Sequence, residues 1–181
     1  MTSPAQNLVA WAHWFQTNRA HVVYTEGAKR MEAIGQWPLK FPISCDCSGF
    51  VTLLCNLAGI PDPNGQHYNH TGYTGTLLAN PANHHIPASQ VQPGDLVVYG
   101  PGTGAHTAIV IEVHGADIMT ISHGDSNGPS YCWVNTPHGD AKGVAVDGRT
   151  PQTFLRLNQA QLKPCRPVRP SAVKTICPTP F

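Results

Sequence analysis

The sequence predicts an α+β fold, and two observations carry that prediction. In the first half, Leu8, Trp11, Ala12 and Phe15 recur at helical spacing. After Pro93 the period changes: 95–99, 106–113 and 117–122 are short, rich in β-branched residues and bounded by Gly or Pro. Helices first and an antiparallel sheet later are the α+β order.

Each element has its own local signal. Ser3 followed by Pro4 is an N-cap with proline at the first helical position, so a helix is expected over about 4–20. Gly35, Pro38 and Pro42 make 35–46 a loop. Asp46 can cap a helix over about 47–58, which Gly59 and Pro61 end. The segment 61–72 is loop, 74–79 a short helix, and 80–93 loop again. In the β half, HGAD (114–117) reads as a hairpin turn centred on Gly115-Ala116, and 131–134 and 153–157 are further strands. From about Gln159 the chain has no periodicity, and KPCRPVRPSAVKTICPTPF holds five prolines. The expected organisation is one domain over 1–158 and a Pro-rich linker or tail over 159–181. Such a tail allows a longer natural chain with a C-terminal wall-binding domain.

Composition narrows the function. The chain has 181 residues, a net charge of +1 and only 12% charged residues. No basic field points to nucleic acid or to an anionic membrane. No run approaches the roughly 18 apolar residues of a membrane helix. The start, MTSPAQNLVAWAHWF, lacks the basic segment of a secretory signal. Synthesis in the cytoplasm without a signal peptide is the expectation, and the chain is read as a monomer.

The chemistry concentrates in CDCSGFVTLLC (45–55). A nucleophilic cysteine works as a thiolate, and a helix N-terminus favours that anion. Cys47 follows the cap Asp46 and so falls in the first helical turn, whose N–H groups could also hold an oxyanion. Ser48 and Gly49 are small and leave room for substrate. Cys45 precedes the helix, and Cys55 lies deeper among Leu53, Leu54 and Leu57, where a buried inert thiol is expected. A thiolate needs a base oriented by a third polar group. If His114 pairs with Asp117, then Ala108 faces His123 and Val110 faces Ile121. His106 and His123 then become diagonal neighbours on one face, base and orienter. Asp125 is the alternative third residue. Asp95, after Pro93-Gly94, marks a turn. The cysteines lack paired CxxC spacing. His84-His85 are adjacent, and His67 and His70 lie in a loop with no HExxH-like helix. No metal and no cofactor are expected.

DCSGFV (46–51), PGDLVVYG (93–100) and AHTAIVI (105–111) together resemble the NlpC/P60 cysteine peptidases. TEGAKRM, AGIPDPNG, GYTGTLLA and SHGDSNGP are similar to motifs of the phage endolysin peptidases within that family. The resemblance spans about Tyr24 to Leu157. It implies a papain-like core, with the nucleophile helix packed on an antiparallel sheet, and Cys47, His106 and His123 as catalytic residues. It also implies that Asp46 and Ser48 help bind a peptidoglycan stem peptide, and that the D-γ-glutamyl–meso-diaminopimelate bond is cut. Relatives carry a Tyr and a Gly-Gly pair shortly before the Cys. Here GQWPLKFPISC stands instead, and the resemblance implies Tyr24 for the Tyr role. Three alternatives stay open: a CHAP-like N-acetylmuramoyl-L-alanine amidase, a zinc amidase, and a non-catalytic wall-binding module.

Overall fold

The computed structural model describes residues 2–125, 127–136, 138–139, 145–146 and 150–159. The tail beyond 159, with Cys165 and Cys177, lies outside the described residues. Helix α1 spans Pro4–Thr17. Its start is a capping box: the Ser3 hydroxyl accepts from the Gln6 N–H, and the Gln6 amide oxygen accepts from the Ser3 N–H. The helix ends three residues earlier than expected because the Asn18 side chain and backbone both donate to the Trp14 carbonyl. A tight turn then leads into β1 (Val22–Tyr24), which pairs in parallel with β2 (Ile43–Cys45). Helix α2 (Cys47–Ala58) follows at once, capped by Asp46 and closed by Gly59 at φ 74°. Helix α3 is Thr74–Ala79.

The sheet consists of β3 (His84–Ile86), β4 (Leu96–Tyr99), β5 (His106–His114), β6 (Asp117–Ser122), β7 (Ser130–Trp133) and a strand near the end of the described chain. Between them lies a two-residue pair, β8 (His138–Gly139) with β9 (Ala145–Val146), and the sixth strand of the sheet is β10 (Gln152–Arg156). The strand order is β3-β10-β4-β5-β6-β7, antiparallel throughout. The α+β class therefore holds. Two stretches read as loop contain short strands, β2 and β3.

Helices α1 and α2 pack on one sheet face. Leu8, Phe15, Phe50 and Leu54 from the helices meet Leu96, Val98, Ile109 and Ile121 from the strands in one buried cluster. The opposite face carries a second cluster of Val97, Tyr99, Ala108, Val110 and Phe154. Alternation along each strand sorts the residues between the two. Asp95 fixes one sheet junction: its buried carboxylate accepts from the Gln92 N–H at 2.8 Å and from Arg156 of β10 at 2.9 and 3.1 Å. It is a turn residue with an ion-pair partner, in keeping with its non-catalytic reading.

The hairpin departs from the expected register. His114 pairs with Asp117 as expected, but the register shifts between Val110 and Glu112. Ile111 is an extra residue on β5, a β-bulge. Beyond it Val110 faces Thr120, Ile109 faces Ile121, and Ala108 faces Ser122. The pairings of Ala108 with His123 and of Val110 with Ile121 are thereby overturned. A one-residue slip exchanges the two faces of every residue that follows.

Candidate active site

Cys47 is the first residue of α2 and is buried, 7% exposed. The Asp46 carboxylate accepts from the Gly49 N–H at 2.5 Å, which fixes the helix start. The same carboxylate accepts from the Ser48 hydroxyl at 2.9 Å and pairs with Arg30 at 3.1 Å. Arg30 also donates to the Ser48 oxygen at 3.2 Å and to the Gly72 carbonyl. One guanidinium thus ties the loop before α2, the first turn of α2, and the loop that ends at Gly72. Arg30 is the residue here that motif reading left without a role. Its place in TEGAKRM was the available signal.

The loop over 61–72 is itself held by a buried carboxylate. Asp62 accepts from the backbone N–H groups of Asn64, Gln66 and Tyr68 at 2.8–3.0 Å. Asn64 in turn donates to Thr52 of α2 at 2.9 Å. The wall beside the α2 start is therefore fixed by side-chain hydrogen bonds in place of regular structure.

Gly49 has a different reason from the one expected. A Cβ there would lie 2.3 Å from the Arg30 carbonyl oxygen. Its smallness admits the backbone of Arg30. Ser48 is 2% exposed and bonded on two sides. Neither residue is small in order to leave open space at the helix start.

Cys45 and Cys55, the other two thiols of the 45–55 segment, are held protonated by their environment. Burial, then the charges of Asp46 and Cys47, push the Cys45 thiol well above its ordinary range. Burial and Asp62 do the same for Cys55. Cys45 ends β2 opposite Tyr24, with its side chain in the helix-side core.

His106 is the first residue of β5 and is fully buried. Its ring stacks on Tyr99 of β4, with centroids 6.1 Å apart. Its Nε2 lies 2.5 Å from the Ser122 hydroxyl. That contact follows from the bulge: Ala108 faces Ser122, so His106, two residues on, shares its face with Ser122. His123 turns the other way. Its ring sits 5.4 Å from Tyr24 and 5.8 Å from Phe50 of α2, beside the backbone of Val23 and Cys45. Burial holds this imidazole below its ordinary range, offset in part by that backbone and by Asp125 and Asp46. Asp125 closes the next turn by accepting from the Asn127 N–H at 2.8 Å. The Tyr24 hydroxyl donates to Glu26 at 3.1 Å. The end of β6 therefore touches both site elements. Ser122 bonds the start of β5, and its neighbour His123 packs against the start of α2.

Among the described residues no group of three or more His, Cys, Asp or Glu gathers to hold a metal ion. His84 and His85 are exposed on β3, and His70 bonds the Met31 carbonyl at 2.8 Å. No helix among the described residues is long and apolar enough to cross a membrane.

The profile of the NlpC/P60 family matches residues 21–138, which include Cys47, His106 and Ser122. A "Probable endopeptidase p60" of Listeria grayi is 34% identical over 90 residues. That match covers 49% of this chain but spans only 16% of the relative's length. Among solved structures, the P60 domain of an antigen from M. avium subspecies paratuberculosis is similar with a TM-score of 0.49 and 17% identity, covering 86% of this chain and 97% of that one. The peptidoglycan hydrolase RipB of Mycobacterium tuberculosis gives a TM-score of 0.48 and 18% identity, covering 84% of this chain and 65% of that one.

Proposed function

The chain belongs to the NlpC/P60 family, and on that premise we propose that it is a cysteine peptidase that hydrolyses the stem peptides of bacterial peptidoglycan. The observation that carries this reading is the placement of Cys47. It is the first residue of a helix whose cap is locked by Asp46 and Arg30. The dipole and free N–H groups of such a start favour a thiolate and then an oxyanion.

His106 is the base. It takes the proton of Cys47, and the thiolate attacks the carbonyl carbon of the scissile amide. The tetrahedral intermediate collapses as the imidazolium protonates the departing amine, leaving a thioester on Cys47. His106 then removes a proton from water, which attacks the thioester and releases the carboxylate and the free thiol. Asp46 and Tyr24 are the substrate contacts of this reading, and Ser48, buried and bonded to Asp46 and Arg30, holds the Asp46 carboxylate in place. The bond proposed is D-γ-glutamyl–meso-diaminopimelate, and the setting proposed is the catalytic domain of a phage endolysin.

The test is a digest of purified diaminopimelate-type peptidoglycan followed by mass analysis of the muropeptides. Wild-type protein is expected to release fragments with a new N-terminal diaminopimelate, and Cys47→Ala none while keeping its unfolding midpoint. A free L-alanine terminus would move the cut to the muramoyl amide. Full activity in Cys47→Ala would remove the mechanism altogether.

A further inference from the structure

We propose that Ser122 is the residue that positions the catalytic imidazole, its hydroxyl holding His106 Nε2 so that Nδ1 carries the proton of Cys47. This rests on the reading of His106 as the base. Three observations support it. The Nε2 to Oγ separation is 2.5 Å, and both side chains are buried, His106 at 0% and Ser122 at 4% exposure. The bulge at Ile111 gives Ser122 the diagonal place that an uninterrupted hairpin would have given His123. His123 itself faces the other way, its ring packed between Tyr24 and Phe50.

The chemistry of a hydroxyl suits the task. An oxygen that accepts Nε2–H selects the tautomer whose Nδ1 lone pair is the base, as the third group of a triad does. That hydrogen bond strengthens when the ring becomes imidazolium, because the donor is then charged. Ser122 is neutral, so it fixes orientation and adds less to proton affinity than a carboxylate would. Among the described residues, Tyr99 of β4 is stacked on the ring, Cys132 of β7 acts on Tyr99, and Asp125 acts in turn on Cys132. Burial pushes the Tyr99 hydroxyl and the Cys132 thiol upward, so neither of these loses its proton where an imidazole does.

The test is the pH profile of kcat/KM on solubilised muropeptides for the full chain and the variants Ser122→Ala, Ser122→Thr and His123→Gln, with thermal unfolding of each. Ser122→Ala is expected to lower kcat by about threefold to tenfold, the worth of one neutral hydrogen bond. It is also expected to move the alkaline limb, set by loss of the imidazolium proton, to lower pH. Ser122→Thr keeps the hydroxyl and restores both. A purely structural role would change the unfolding midpoint and leave the limb in place. The proposal is overturned if Ser122→Ala leaves the limb unmoved, or if His123→Gln moves it and Ser122→Ala does not. Activity surviving in Cys47→Ala would be a separate failure, that of the peptidase reading.

Discussion

Gly49 is where the backbone of Arg30 comes closest to the nucleophile helix. Alanine is the better helix former by about 1 kcal/mol, yet its Cβ would stand 2.3 Å from the Arg30 carbonyl oxygen. Backbone cannot rotate away as a side chain can, so the clash outweighs propensity. Gly49→Ala is expected to destabilise the fold by about 1–3 kcal/mol, read as a drop of several degrees in the thermal midpoint. The same scale shows what residue types disclose and what they withhold. The helix start at Cys47 was legible because Asp46 marks it. The placing of Ser122 opposite Ala108 was not, because nothing in its own identity separates it from its neighbour His123. Only the count of residues across the hairpin does, and that count changes at Ile111.

At the scale of elements, the signals that held are those with a local cause. Asp46 and Gly59 delimit α2 at the residues expected, because a cap and a left-handed glycine each satisfy helix-end groups within a few residues. Strands β2 and β3, three residues each, were missed because three residues cannot display alternation, and their partners β1 and β10 are distant in sequence. The bulge has no local mark either, since Ile111 looks like any other strand residue. Gly59 offers a clean test of the first kind. It sits at φ 74°, and a Cβ added there would meet nothing within 4 Å, so the cost of Gly59→Ala is backbone strain alone. We expect a loss of about 1 kcal/mol in urea unfolding, with no change in the pH profile of activity.

At the scale of the molecule, the helical half and the sheet half were legible as a sequence of periods, but their junction was not, because it is built by contacts between segments far apart. His123 occupies that junction, between Tyr24 of β1, Phe50 of α2 and the end of β6. It is fully buried, and neither ring nitrogen makes a hydrogen bond of full geometry among the described residues, although the backbone of Val23 and Cys45 lies beside it. Burial therefore keeps it neutral and sets its folded pKa below the ordinary value of 6.5. The unfolded chain binds a proton near pH 6.5 and the folded chain only at lower pH, so unfolding takes up a proton between the two. The stability linked to a neutral His123 is fully present above about pH 6.5 and is lost progressively as the pH falls toward the folded pKa. The slope from this one group reaches at most about 1.4 kcal/mol per pH unit. Urea unfolding of wild type and His123→Gln at intervals from pH 5 to pH 8 measures it. The wild type is expected to weaken on acidification below pH 6.5 more steeply than the variant, whatever their difference at pH 8. Parallel curves would mean that the junction admits the charged ring, and that the neutral imidazole is not what joins the two halves.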